Sequence, residues 1–126
     1  MSEFEFAQTF QFWIENAYAS YTLMISILFA YLLAGHFVAK QLPKAVAVGM
    51  TAVYCFVIAG TLLSHLGSHA MMVLTYIKYS QQYPDGWAVP AGLPSMIGPL
   101  LFGILPALIS IAVGIFYVHF IVRKGQ

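Results

Sequence analysis

Charged residues are scarce in this sequence: only 7% of its 126 residues are Asp, Glu, Lys or Arg, whereas 61% are hydrophobic. Soluble domains carry about 25% charged residues, so this composition cannot cover a surface that faces water. The formal net charge is +1, and nucleic-acid binding depends on clustered basic residues that neutralise phosphates. The sequence therefore predicts an integral membrane protein surrounded by the lipid bilayer, and it excludes a nucleic-acid partner.

Cysteine pairs and common catalytic motifs are also missing. The single cysteine, Cys55, excludes a disulfide within the chain and any zinc site built on paired cysteines. No glycine-rich phosphate loop, GxSxG motif or HExxH motif occurs. The long apolar stretches contain no charged side chain, which argues against a carrier that relays protons between buried carboxylates. These absences favour a protein without catalytic activity.

Three long uncharged stretches are present, at positions 16–39, 45–77 and 86–122. A helix needs about 20 apolar residues to cross the ~30 Å hydrocarbon layer of a membrane, and each stretch is long enough. We expect an all-α integral membrane protein with one domain, 1–126, and three transmembrane helices. The predicted spans are 17–39, 45–67 and 97–122, and a Pro/Gly/aromatic outer loop covers about 78–96.

The positions of the basic residues predict the orientation, because Lys and Arg are retained on the cytoplasmic side. Lys40 and Lys44 flank the first loop, a basic pair follows the third span at 123–124, and the segment before the first span has no Lys or Arg. Trp13 and Trp87 then lie on the same outer side, at the headgroup level that tryptophan prefers. We expect an external N-terminus and a cytoplasmic C-terminus, and the basic asymmetry fits a bacterial inner membrane.

Two local signals indicate how individual helices begin and bend. Ser2 and Glu5 match the Ser-x-x-Glu capping box, in which each side chain accepts a hydrogen bond from the backbone N–H of the other residue. This motif predicts an amphipathic helical extension that starts near Glu3 and continues into the first span. Pro106 lies inside the third span, where it removes one backbone hydrogen bond, so we expect a kink in that helix.

The second apolar stretch is longer than a membrane requires. As one helix, residues 45–77 would extend about 50 Å at 1.5 Å per residue. Either this helix projects outward past Gly67, or it bends near Ser64–Ser68. In both cases we expect its outer part to pack against the N-terminal segment and to bring Lys78 within reach of Glu15.

Histidines are the main candidates for chemistry in spans that lack charged side chains. His36 and His119 each lie one turn from the cytoplasmic end of a predicted helix. Two histidines at one depth on different helices could ligate the iron of a b-type haem from opposite faces. Alternatively, both are interfacial residues whose polar tips reach headgroups and water. The first interpretation requires haem b, and the second requires no cofactor.

His65 and His69 are spaced i, i+4, which places both side chains on one helix face and lets them hold one metal ion together. A zinc site normally needs at least a third protein ligand, and the sequence offers only distant candidates. The alternative is that they are two polar residues near a helix end, beside Ser64 and Ser68.

Small residues recur at every fourth position in the second and third spans. Such stripes let helix backbones approach closely in lipid, so they predict helix packing inside the bundle or against another chain. We expect the chain either to form a homo-oligomer or to bind a larger membrane-protein subunit. The predicted packing residues are Gly60, Ser64, Ser68, Gly103, Ala107, Ser110 and Gly114.

Three classes of function fit these patterns. The first is a small non-catalytic polytopic membrane protein, either self-associating or serving as an accessory or anchor subunit of a membrane complex. The second is a haem-binding electron-transfer anchor that uses His36 and His119. The third is a small oligomeric pore or permeability protein, which ranks last because the spans lack a polar stripe wide enough to line a lumen.

Overall fold

The computed structural model describes residues 1–85 and 100–122, and all the regular structure in these two ranges is helical. Helix α1 covers Glu3–Val38 and helix α2 covers Lys44–Gln82. The third helical segment begins as a π-helix, π1, at Leu100–Ile104, and continues as α3 at Leu105–Phe116 and as a second π-helix, π2, at Tyr117–Val122. The all-α prediction is confirmed for the described ranges.

Helix α1 begins at the predicted capping box. The Ser2 Oγ accepts a hydrogen bond from the Glu5 backbone N–H at 3.3 Å, and the Glu5 Oε2 accepts one from the Ser2 backbone N–H at 2.7 Å. These two bonds satisfy N–H groups that have no partner inside the helix. From this cap, α1 runs 36 residues without interruption, so the helical extension and the first apolar stretch form one element.

Helix α2 is a single helix of 39 residues that continues through Gly67. The structure shows no break at Ser64–Ser68; projection of this helix beyond a membrane stays a prediction. At 1.5 Å per residue, α2 is about 58 Å long. It ends at Gln82 because Tyr83 precedes Pro84, and a residue before proline is forced out of the helical conformation.

Helices α1 and α2 pair as an antiparallel hairpin along their whole length. Contacts join Phe6 with Tyr79 and Ser20 with Ser64, and a further contact at the other end joins Tyr31 with Thr51. The buried residues of α2 recur at alternating intervals of three and four, the spacing of a coiled-coil seam. They include Tyr54, Ile58, Thr61, His65, Ser68, Met72, Thr75 and Tyr79.

This register contradicts the predicted contact between Lys78 and Glu15. Lys78 lines an open pocket together with Met1 and Phe6. Glu15 lies nine residues beyond Phe6, which is about 13 Å further along α1, and its Oε1 accepts a hydrogen bond from the Gln11 Nε2 at 3.0 Å. The prediction was wrong because α2 is continuous and pairs antiparallel with α1, so its end lies opposite the start of α1.

The third helical segment packs against the hairpin and runs parallel to α1. Gly103 in π1 lies against His65, and Gly114 in α3 lies against Tyr31 and Tyr54. The kink predicted at Pro106 stays a prediction. The structure places this proline at the second position of α3, directly after the change from π-helix to α-helix. The missing N–H of proline is tolerated in the first turn of an α-helix.

Two described helices, α1 and α2, are long and apolar enough to cross a membrane, and the third segment contributes a shorter apolar helix. Helix α2 occupies the start of the predicted outer loop, up to Gln82. The rest of that loop from position 86, the beginning of the third predicted span at 97–99, and the basic pair at 123–124 lie outside the described residues.

Candidate functional site

His65 occupies the place where all three helical segments meet. Its side chain is only 4% exposed, and its Nδ1 lies 3.0 Å from the backbone oxygen of Ala17 on α1. A carbonyl oxygen can only accept a hydrogen bond, so Nδ1 carries the hydrogen and donates. In the neutral ring, Nε2 therefore carries a free lone pair.

The Nε2 atom of His65 is buried and has no hydrogen-bond partner within residues 1–85 and 100–122. It points towards π1, where a Cβ added to Gly103 would lie 3.2 Å from Nε2 and 2.6 Å from the neighbouring Cδ2. Only glycine allows the helix backbone to come this close to the ring. This contact requires glycine at position 103, which the sequence pattern predicted to be a helix-packing position.

His69 lies one turn further along α2 and contacts the same ring. The ring centres of His65 and His69 are 4.6 Å apart, and the ring planes are inclined by 65°. His69 is half-buried and lies beyond the predicted span 45–67. Burial, and secondly the neighbouring His65, lower the pKa of His69, so at neutral pH its imidazole is uncharged and able to donate a lone pair.

The structure brings His65 and His69 together but supplies no third ligand. Among the described residues, no group of three or more His, Cys, Asp or Glu side chains is arranged to hold a metal ion. Whether the pair binds a metal stays a prediction at this point.

His36 and His119 lie at the same level of the bundle, because Gly35 contacts Val118 between them. Their rings have different partners. The Nδ1 of His36 is 2.7 Å from the Tyr117 hydroxyl, and the Nε2 of His119 is 2.7 Å from the Thr51 Oγ1. The structure thus confirms the shared depth and places the two rings on separate hydroxyl groups. Haem binding by this pair stays a prediction.

The small residues of the third helical segment face the hairpin. Gly103, Ala107, Ser110 and Gly114 are all buried. Gly114 is tightly enclosed, since a Cβ there would lie 3.0 Å from ring carbons of both Tyr31 and Tyr54. The stripe allows the third segment to approach the two long helices closely.

Tyr31 and Tyr54 form a stacked pair in the core, with ring centres 4.0 Å apart and planes inclined by 9°. The Tyr54 hydroxyl donates to the backbone oxygen of Ser110 at 2.7 Å, and the Tyr31 hydroxyl is 2.7 Å from the Thr51 Oγ1. Sequence reasoning missed these residues because it considered only charged residues and histidines as polar groups. The available signal was a tyrosine or threonine well inside each of the first two apolar stretches.

The small residues of α2 divide between two faces. Ser68 is buried, whereas Ser64 is exposed and its Oγ lies 3.1 Å from the Ser20 Oγ. Gly60 is exposed, and no described atom lies within 4 Å of a Cβ added there; the same is true of Gly49 and Gly67. These three glycines are separated by about three and about two helix turns. They therefore lie along one line, which we call the glycine face of α2.

Comparison with known proteins gives no relative. The chain matches no protein-family model, no curated protein and no solved structure. Its function is therefore inferred from its own helices and side chains.

Proposed function

We propose that the protein is an integral membrane protein with three membrane-crossing segments, and that its role is the non-catalytic association with a second copy of itself. The observation that carries this proposal is the apolar exterior of the two long helices. In their most apolar stretches only 17% of α1 and 22% of α2 is buried inside the chain. Lipid would cover the remaining apolar surface.

Large exposed side chains are spread along both helices within the predicted spans. Phe29 and Phe37 on α1 are 61% and 69% exposed, and Phe56 and Leu63 on α2 are 80% and 71% exposed. Exposed apolar surface of this extent is unfavourable in water, at about 25 cal/mol per Å², and monomeric soluble proteins rarely carry large contiguous apolar patches. This exterior supports insertion into a bilayer.

The proposed topology has the N-terminus outside and the C-terminus in the cytoplasm. With residues 45–67 in the membrane, the last 15 residues of α2 extend about 22 Å beyond it. They pair there with the start of α1 through the rings of Phe6, Tyr79 and Tyr83. We place this projecting hairpin on the outer side because four of the five basic residues flank the opposite end and Lys78 is the exception. A bacterial inner membrane fits that asymmetry.

The glycine face of α2 is the surface that we assign to self-association. Nothing within the described chain contacts Gly49, Gly60 or Gly67 at the position of a Cβ, so folding of the single chain does not require glycine at these positions. In a membrane, small residues on one helix face allow two helices to approach closely and gain van der Waals contacts.

Association between differently labelled copies tests the proposal, with energy transfer measured in lipid vesicles as the protein-to-lipid ratio is varied. The wild-type chain should show energy transfer that increases with this ratio. Gly60→Leu should weaken association at least tenfold, because the larger side chain separates the helices. Ala34→Leu is the matched control: it enlarges an exposed small residue on α1 and should leave association unchanged.

Two results would contradict the proposal. A wild-type chain that remains monomeric at every protein-to-lipid ratio would exclude self-association. Equal association of wild type and Gly60→Leu would show that this face of α2 contacts lipid only.

A further inference from the structure

The unpartnered Nε2 of His65 requires a physical explanation. Leaving a buried polar atom without a hydrogen bond is unfavourable, and His65 is only 4% exposed. The ring is also held in place, because Nδ1 donates to Ala17 and Gly103 lies against its edge. A fixed, buried lone pair is the arrangement that a metal ion can use.

The hydrogen bond on the opposite nitrogen has the form seen in metal sites. A histidine that ligates a metal through one ring nitrogen almost always donates its other N–H to a carboxylate, a backbone carbonyl or water, which fixes the ring and raises its basicity. The carbonyl of Ala17 has this position relative to His65, at 3.0 Å. His65 therefore has the orientation and tautomer of a metal ligand.

The distance between the rings of His65 and His69 fits one shared ion. With metal–nitrogen bonds of about 2.0–2.1 Å and ring centres about 1.1 Å behind the nitrogens, two imidazoles on one ion have centres roughly 4.5–5.2 Å apart for bond angles of about 90–110°. The observed separation is 4.6 Å. The separation of the ring centres therefore lies within the range for two imidazoles on one ion.

We propose that His65 and His69 bind one divalent transition-metal ion of the zinc class, with water completing its coordination. Imidazole ligands suit Zn²⁺, Co²⁺, Ni²⁺ and Cu²⁺ and do not suit Ca²⁺ or Mg²⁺, which take oxygen ligands. With two protein ligands the ion exchanges with the surrounding solution. The site does not depend on self-association, and its test is separate from that of the glycine face.

Metal binding at this place would stabilise the junction of the three helical segments. His65 is bonded to α1 through Ala17 and packs on π1 at Gly103. An ion that binds the folded chain and not the unfolded one stabilises it in proportion to the logarithm of its concentration over its Kd. We expect the melting temperature of the full-length protein to rise with added metal.

The experiment uses the full chain in detergent, stripped of metal with EDTA and titrated with Co²⁺ and then with Zn²⁺. Wild type should bind one ion per chain, with Co²⁺ absorption bands that Zn²⁺ displaces, and should melt at a higher temperature with Zn²⁺. His69→Ala should weaken binding by roughly tenfold or more, as expected for loss of a ligand, and should lose the thermal shift. Because His69 is only half-buried, this variant should keep the helical content of the metal-free wild type.

His36→Ala is the matched control, since it removes an exposed histidine at the other end of the bundle and should leave Co²⁺ binding unchanged. The proposal is overturned if wild type shows no saturable Co²⁺ or Zn²⁺ binding, which would mean that water occupies the space beside Nε2. It is equally overturned if His69→Ala binds as tightly as wild type, or if His36→Ala weakens binding as much as His69→Ala does.

Discussion

Hydrogen bonds between tyrosines and their neighbours hold the centre of the bundle. Tyr54 donates to the backbone of Ser110 on the third segment, and Tyr31 bonds Thr51 across the hairpin, both at 2.7 Å. In the proposed membrane, apolar side chains gain little by contacting one another instead of lipid, so close packing and such hydrogen bonds supply the attraction between helices. Hydrogen bonds at their hydroxyl groups restrict the stacked rings of Tyr31 and Tyr54, so the rings cannot move aside freely.

Gly114 is the residue at which this restriction is most easily measured. Gly114→Ala places a Cβ 3.0 Å from ring carbons of both Tyr31 and Tyr54, and overpacking of this kind costs about 1–3 kcal/mol. We expect a lower unfolding midpoint of the full chain in detergent. Gly49→Ala makes the same change inside a helix but in open space, and it should raise the unfolding free energy by roughly 0.5–1 kcal/mol because alanine favours a helix interior more than glycine does.

The comparison of these two variants decides whether the third segment packs as the structure shows. If Gly114→Ala is stabilised relative to wild type as much as Gly49→Ala is, then α3 does not lie against the tyrosine pair.

Residues close in sequence determine where the two long helices begin and end. Contacts between the two helices determine which residues along them are buried. Capping at Ser2 begins α1, and Pro84 prevents α2 from continuing. Between these ends, the buried residues of α2 follow the three-and-four spacing of a coiled coil. This spacing keeps one face of α2 against α1 for the full length of the hairpin.

The cap of α1 should respond to acid. The hydrogen bond from the Ser2 backbone N–H, and secondly the Ser2 side chain, lower the pKa of Glu5. Its contribution to helix stability is therefore complete above the ordinary Glu pKa of about 4.3 and is lost as the pH falls through the lower pKa of the folded chain. We expect the Cα chemical shifts of residues 3–6 to move towards unfolded values as the pH is lowered below the ordinary Glu pKa of about 4.3.

Glu5→Gln should abolish this pH response while it preserves the helix, since glutamine also completes a capping box and does not titrate. Glu3→Gln removes a neighbouring acid and should retain the wild-type response. An identical titration of residues 3–6 in wild type and Glu5→Gln would show that the cap does not depend on the Glu5 carboxylate.

At the scale of the whole molecule, the turn between α1 and α2 and the end of the third segment lie at the same end of the bundle. The structure brings Gly35, near the end of α1, against Val118, near the end of the third segment. The basic residues of the first loop and the pair at 123–124 follow these positions in the sequence. Both basic groups would therefore face the cytoplasm in the proposed orientation.

Fusions to alkaline phosphatase, which is active only outside the cytoplasm, test that orientation. A fusion after Gln126 should be inactive, and an insertion after Asp85 should be active, because these positions lie on opposite sides of the third span. An insertion after Lys40 is the matched control for the cytoplasmic side and should be inactive. The reverse pattern of activity would exclude an external N-terminus, and activity at all three positions would exclude the membrane-crossing third segment.

The sequence by itself determined the features that depend on neighbouring residues along the chain. The apolar stretches indicated helices, the Ser2–Glu5 pair indicated the start of α1, and the length of the second stretch left only a projecting or bent helix. These conclusions needed no knowledge of other helices, because hydrogen bonding and capping within a helix involve residues three or four positions apart.

Only the tertiary structure decided which residues meet between helices. It placed Lys78 beside Met1 and Phe6 instead of Glu15, gave His36 and His119 separate hydroxyl partners, and left Gly60 on the exterior while Gly114 lies in the core. Register and rotation of a helix result from many weak contacts summed along its length. No short segment of sequence contains that sum, so small residues with the same spacing can lie on the inner or the outer face.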